Sequence, residues 1–288
     1  MNNKKDIFNA ISSGKIDRVK KYLESGLNVN EGDEKGYTLL HWAAQEGYIQ
    51  LAELLVEKGA DISKRDKDGF FPLEIACTNG QLGIVQLLID NGCDLSLDRC
   101  NYTPLHAAAA TGGYKIAELL IEKGLDVNKH DYGGYTPIHW ATQERHLDLI
   151  KLLFKAGGDL ERKDENGATP LYIAASEGYI EIVEYLISHD IQIDPMDDYC
   201  CTPLTIASCY NHLDVIRLLL ENKANIESLD DEGKTPLYHA VALGNMEVVK
   251  LLINNGANIN VEDMEGKNIR DVIPRKNRHK ILSLLSSR

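Results

Sequence analysis

The chain has 288 residues, 43% of them apolar, with 31 basic side chains against 44 acidic ones and a formal net charge of −13. That balance excludes the basic footprint on which sequence-independent nucleic-acid binding rests, and it argues equally against an anionic membrane surface. No apolar run reaches the length of a membrane span, and the polar start Met1-Asn2-Asn3-Lys4-Lys5-Asp6 is not that of a signal peptide.

Residues 6–30 read as a first helix pair, with a polar helix at Ile7-Phe8-Asn9-Ala10-Ile11-Ser12 and glycines at 14 and 26. From Asp33 onward an aspartate recurs at 66, 98, 131, 164, 197, 230 and 263, with spacings of 33, 32 and then 33 residues throughout. Five residues after every one but Asp263 stands a Thr-Pro-Leu-His-like stretch: Thr103-Pro104-Leu105-His106, Thr136-Pro137-Ile138-His139, Thr169-Pro170-Leu171-Tyr172, Thr202-Pro203-Leu204-Thr205 and Thr235-Pro236-Leu237-Tyr238. Weaker copies stand at Thr38-Leu39-Leu40-His41 and Phe71-Pro72-Leu73-Glu74. A period this strict means a repeat array.

Within the unit from Asp131 to Lys163, Asp131-Tyr132-Gly133-Gly134-Tyr135 is turn chemistry. Thr136 predicts an N-cap and Pro137 the first helical residue, where its missing N–H costs nothing. A short helix follows through Ile138, Trp140 and Ala141, broken at Arg145-His146 where most other units carry glycine. A second helix covers Leu147 to Phe154 with apolar residues at helical spacing, and Gly157 closes it. Neither helix buries its apolar stripe alone, so the units are expected to stack into one core. The small pairs Ala43-Ala44, Ala108-Ala109 and Ala174-Ala175 let adjacent first helices approach closely.

The D-x-x-G-x-T-P-L-H-x-A-A core, the glycine between helices and endings such as Gly59-Ala60-Asp61-Ile62 resemble ankyrin repeats over nearly the whole chain. The resemblance implies an all-α ankyrin-repeat solenoid of helix-turn-helix units joined by β-hairpin-like loops. Read in phase, 1–288 is a single repeat domain of about nine units. These are an N-terminal cap at 1–32, full repeats at 33–65, 66–97, 98–130, 131–163, 164–196, 197–229 and 230–262, and a C-terminal cap at 263–288. The last cap is expected to hold short helices around Val272-Ile273 and Ile281–Leu285. The missing residue falls after Gly92, and Asn101 stands in the loop-glycine position after Asp98-Arg99-Cys100. Asp190 and Lys223 replace the C-cap glycine and Cys200 the loop glycine, so the units between about 190 and 225 are expected to be the least regular and least stable.

No nucleotide loop, zincin motif or nucleophile elbow is present. His41, His106 and His139 share one repeat position; the resemblance implies a structural role, hydrogen-bonding neighbouring loops. The loop aspartates read as turn caps. Six cysteines (77, 93, 100, 200, 201 and 209) form no CxxC pair and have no zinc-like histidine spacing. They read as free thiols in a reducing compartment, and Asn101-Tyr102-Thr103 as an accidental sequon. Catalytic, cofactor and metal sites are expected to be absent; an enzyme built around Cys200, Cys201 and Cys209 is the remote rival, testable by selective thiol labelling.

The resemblance further implies a concave groove lined by loop tips and first helices, where partners dock. Phase places Tyr37, Phe70, Tyr102 and Tyr135 one residue before the Thr-Pro step, with Trp42 and Trp140 one position into the first helix. Gln45, Thr78, Asn79, Thr111, Gln143, Glu144 and Tyr210 stand at the ends of first helices, and Tyr132 stands at a loop tip. These side chains are the candidate partner-binding surface, since aromatic rungs beside polar neighbours suit a hot-spot pattern. The same rings serve equally well as packing over adjacent loops.

From Lys267 to the end, seven basic residues face only Asp271, a balance of 7 − 1 = +6 that leaves −13 − 6 = −19 for the rest. Pro274-Arg275-Lys276-Asn277-Arg278-His279-Lys280 reads as a solvated cap, with a nuclear import signal or an anchor for an acidic partner as the other readings. The expectation is a monomeric, cytoplasmic, non-enzymatic scaffold or adaptor that binds another protein, with no nucleic acid, membrane or cofactor. Nuclear import in a eukaryotic source and delivery to a host from a host-associated microbe stay open. The alternative is an inhibitor or immunity-type protein that occludes a partner enzyme's active site.

Overall fold

The computed structural model describes residues 2–96 and 101–286. Among these, α1 (Asn2–Ile11) and α2 (Ile16–Glu24) form the first pair, followed by α3 (Leu39–Glu46) with α4 (Ile49–Glu57) and α5 (Pro72–Thr78) with α6 (Leu82–Asp90). Next come α7 (Pro104–Thr111) with α8 (Tyr114–Glu122), α9 (Pro137–Gln143) with α10 (Leu147–Lys155), and α11 (Pro170–Glu177) with α12 (Ile180–Ile187). The last pairs are α13 (Pro203–Tyr210) with α14 (Leu213–Glu221) and α15 (Pro236–Leu243) with α16 (Met246–Asn254), before a lone α17 (Arg278–Leu285). No strand forms among the described residues; only the isolated bridges Gly32–Thr38 and Glu262–Asn268 occur. The chain is an all-α ankyrin-type repeat structure. It divides into two compact units, residues 1–132 with 151–157, and residues 133–150 with 158–288.

Each first helix begins where the repeat motif puts its cap. Thr169 Oγ1 accepts the Tyr172 N–H at 3.3 Å, and Thr235 Oγ1 the Tyr238 N–H at 3.2 Å, filling donors that a helix N-terminus leaves open. The loop before it is built by the aspartate. Asp164 Oδ1 accepts the N–H groups of Asn166 and Ala168, both at 2.8 Å. Asp33, Asp66, Asp197, Asp230 and Asp263 repeat this two-and-four pattern. Asp98 and Cys100 lie outside the described residues, as does part of the shortened stretch after Gly92.

Adjacent loops are joined through the backbone. In the first unit Lys67 N donates to Lys35 O at 3.0 Å; in the second, Glu165 N, Asp198 N, Asp231 N and Met264 N donate to Gly133, Asn166, Tyr199 and Glu232 carbonyls at 2.9–3.1 Å. First helices pack on first helices: α3 on α5 and α5 on α7 in the first unit, α9 on α11, α11 on α13 and α13 on α15 in the second. The alanine pairs at 43–44, 108–109 and 174–175 are fully buried. A leucine recurs at one position of the second helices, as Leu55, Leu88, Leu120 and Leu153 in the first unit and as Leu186, Leu219 and Leu252 in the second, each 0% exposed.

Two expectations change. Between 190 and 225 the repeat geometry is kept rather than lost, because Asp190, Cys200 and Lys223 adopt the left-handed conformation themselves, at φ of 56°, 59° and 68°. Just before that stretch, α12 is one residue shorter than the second helices around it. Each of these non-glycine residues carries a strained backbone, at a cost of about 1 kcal/mol or more, that the surrounding structure holds in place. In the C-terminal cap, no helix forms at Val272-Ile273. Pro274 disfavours helix in the residue before it, so the chain runs through turns into a 3₁₀ segment, Arg275–Asn277, and only then into α17. Ile269, Ile273, Ile281 and Leu285 still bury, closing the last repeat.

Candidate functional site

The repeated histidine is a brace. His41 Nδ1 accepts the Thr38 N–H at 3.2 Å, while Nε2 lies 3.1 Å from the Phe70 carbonyl of the next loop. His139 repeats both contacts, with Thr136 N at 3.1 Å and Ala168 O at 3.3 Å, and His106 Nδ1 accepts the Thr103 N–H at 3.0 Å. All three rings are 0% exposed. At the equivalent position Tyr238 donates its hydroxyl to Asp263 Oδ2 at 2.7 Å, and Glu74 Oε2 accepts the Phe71 N–H at 2.9 Å. Glu74 thus ties its own helix cap and Tyr238 the next loop, one half each of what the histidine does.

Burial holds the His41 ring below the ordinary histidine range. An unfolded histidine protonates near pH 6.5, so the neutral ring's contribution is complete above that value and is lost as pH falls below it. The thermal midpoint is therefore expected to fall on acidification from about pH 7.5 to about pH 5.5. His41→Gln, which keeps a capping side chain of the kind Glu74 supplies, should flatten that slope; an unchanged slope would sink the assignment.

The candidate aromatics lie on these braces. In the first unit Tyr37 sits 5.2 Å from the His41 ring and 5.8 Å from Trp42, whose Nε1 donates to Asp33 Oδ2 at 3.2 Å. Tyr102 stacks on His106 at 5.4 Å. In the second unit Tyr135 lies 5.4 Å from His139 and 5.5 Å from Trp140. Tyr37, Trp42, Phe70, Tyr102, Tyr135 and Trp140 are all half-buried: one face packs and one face meets solvent. The packing partner of each tyrosine is the brace of its own repeat, which spacing alone does not reveal.

The remaining candidates divide. Tyr132 is 79% exposed at its loop tip and Tyr210 61% exposed at the end of α13. Thr78, Asn79, Thr111 and Glu144 are exposed, while Gln45 and Gln143 are half-buried. Asn79 Nδ2 donates to Ile75 O at 2.8 Å and Thr111 Oγ1 to Ala107 O at 2.9 Å, so both also finish their own helices. Gln45 donates to Glu46 Oε1 at 2.9 Å, and the Gln143 carbonyl accepts the Tyr179 hydroxyl at 3.4 Å. Tyr210 does not join the Tyr135–Trp140 cluster; its ring neighbour is His212, at 6.4 Å.

Sequence reasoning missed exposed apolar side chains of the second unit, among them Tyr199 (65%), Leu243 (57%) and Met264 (76%). The signal was available, since Tyr199 and Met264 occupy loop-tip positions that carry Glu34, Lys35, Lys67, Asp68, Glu165 or Asn166 elsewhere.

Cys201 and Cys209 are poor nucleophiles. Burial pushes Cys201 up to about 12 and Cys209 up to about 11, the opposite of the lowering a reactive thiolate needs. Among the described residues no cluster of His, Cys, Asp and Glu is arranged to hold a metal ion, and no helix is long and apolar enough to cross a membrane.

The family model for ankyrin repeats in three copies matches residues 7–98, 96–164, 128–197, 144–230 and 196–263. The chain belongs to the ankyrin repeat family, whose repeats are in general protein–protein interaction modules. Among its relatives, an acyl-CoA-binding domain-containing protein 6 homolog of Dictyostelium discoideum is 44% identical over 54 residues, 18% of this chain and 19% of that protein. A putative ankyrin repeat protein of Fowlpox virus is 40% identical over 52 residues, 18% of this chain and 37% of the other. An ankyrin repeat-containing protein of Schizosaccharomyces pombe is 48% identical over 49 residues, 17% of this chain and 24% of its own length. The matches span well under half of each of these relatives.

Proposed function

We propose that the chain is a non-enzymatic scaffold of the cytoplasm that binds a partner protein through its loop tips and first helices, its repeats and caps acting together as one array. The observation that carries this reading is the fixed aromatic pair in each unit. Tyr37 with Trp42, and Tyr135 with Trp140, are held against a buried histidine while one face of each ring meets solvent. Such rings offer a large amphipathic contact whose rotamers are already set, so association costs little ordering entropy. The raised thiols of Cys201 and Cys209 and the fully engaged Thr–His braces support the non-enzymatic side of the reading.

The test replaces Tyr102 and Tyr135 by leucine, which keeps an apolar cover over each histidine but removes ring and hydroxyl. Capture of a partner from the native cell should weaken by roughly tenfold or more, the effect of losing hot-spot rings. The variant should melt cooperatively near the parent. Undiminished capture by a folded variant would overturn the assignment.

A further inference from the structure

The second unit carries a surface that the loop-tip reading does not use. Tyr210 and Leu243 occupy the same repeat position, 33 residues apart, as the last residues of the adjacent helices α13 and α15. Both are more than half exposed. At that position the earlier repeats carry Glu46, Asn79, Thr111, Glu144 and Glu177. The change from polar to large apolar is therefore confined to the two repeats nearest the C-terminal cap.

The turns that bear these side chains are tied together. Asn245 Nδ2 donates to the Ser208 and Cys209 carbonyls, both at 3.0 Å, which locks the end of α13 to the turn after α15. One step further on, Asn277 Nδ2 donates to the Gly244 carbonyl at 3.1 Å. Pro274 packs there too, its Cγ 3.1 Å from where a Cβ on Gly244 would stand. The 3₁₀ segment Arg275–Asn277 is thus seated directly beside Leu243, in the place where the expected cap helix is missing.

That segment is cationic and open. Arg275, Lys276, Arg278 and Lys280 are exposed, and among the described residues no carboxylate pairs with them: the nearby Asp271 accepts the Asn268 N–H at 3.1 Å. Arg278 and Lys280 stand in the first turn of α17, where the helix dipole disfavours positive charge. Their placement opposes local stability. It makes sense as a surface built for a negative ligand.

We propose that Tyr210, Leu243 and the cations of Arg275–Lys280 form a docking site for an acidic peptide segment that carries an apolar anchor. The apolar pair would seat the anchor, and the cap would take the carboxylates. Charge complementarity chooses this occupant over larger polyanions. The rest of the chain carries −19, by −13 − 6, which repels a nucleic acid or an anionic bilayer extended across it, whereas a short peptide meets only the basic end. The proposal rests on the protein-binding reading but names a different surface, so the two fail separately.

The experiment selects random peptides displayed on phage against the full chain. Synthetic versions are then titrated by fluorescence anisotropy against the parent, Arg275→Glu/Lys276→Glu, Tyr210→Ser/Leu243→Ser and, as control, Tyr102→Leu/Tyr135→Leu. Selected peptides should be acidic with at least one large apolar residue. Each of the first two double variants should weaken them by roughly tenfold or more, the scale of a lost hot spot, while the control binds as the parent does. All the substituted side chains of the docking site are exposed, so circular dichroism melts should match the parent. Neutral or basic selected peptides would overturn the proposal, as would acidic peptides indifferent to either double variant. Vesicles of phosphatidylserine and phosphatidylcholine, and a random single-stranded DNA, are titrated in parallel. If either binds and Arg275→Glu/Lys276→Glu abolishes it while no peptide is selected, the cations serve a phosphate ligand and the proposal is wrong.

Discussion

Gly134→Ala is expected to destabilise the protein by about 3 kcal/mol, far more than a surface glycine-to-alanine change should. Gly134 holds φ at +77°, and a Cβ there would stand 2.5 Å from the Glu165 backbone nitrogen and 2.9 Å from Asp164 backbone atoms. The left-handed backbone costs an alanine about 1–2 kcal/mol. The clash adds a similar amount, because the atom in the way is backbone. Glu165 N is also the donor that joins this loop to Gly133 O at 3.1 Å, so relief of the clash breaks the tie between loops. Gly256→Ala is the control. Its φ is +97° and nothing lies within 4 Å of the added carbon, so it should lose only the backbone part, about 1–2 kcal/mol. Urea denaturation of both variants measures the difference. Equal losses would show that loop-to-loop closeness is not what demands glycine at 134.

Leu219→Ala should cost about 2–5 kcal/mol, the transfer term plus an unfilled cavity. Leu219 is 0% exposed at the repeat position that Leu186 and Leu252 share, and α14 packs on α12 and α16. Because a repeat interacts only with its neighbours, the loss should be local. Amide exchange should quicken in α12, α14 and α16 before it changes in α4 or α6. Uniform acceleration over the whole chain would instead mean that the array unfolds as one cooperative block.

The scaffold was readable because its determinants are local. Asp164, Gly167, Thr169 and Pro170 act within a few residues of one another, and recurrence at a fixed period turns weak local signals into a strong one. The C-terminal cap departed from expectation where that period ends: Val272-Ile273 has helix-like apolar content, but Pro274 and the absent Thr-Pro step remove the start. The strained Cys200 and Lys223 were visible as departures, yet their outcome depended on neighbours strong enough to hold them left-handed. At the candidate site, phase located Tyr37, Tyr102 and Tyr135 correctly beside the helix start. It did not tell that each ring lies on its own histidine, since two residues four apart across a cap have no fixed orientation until the Thr–His bond sets one. Tyr199, Leu243 and Met264 escaped because the reading followed recurring positions, and these three are exceptions to what recurs.

The central claim, that loop tips and first helices form the contact surface, is tested most directly by amide hydrogen exchange of the full chain with and without its captured partner. The account predicts protection of loop residues 33–37, 66–70 and 131–135 and of α3, α5, α9 and α11, with α4, α6, α12 and α14 unchanged. Protection confined to the second helices would contradict it.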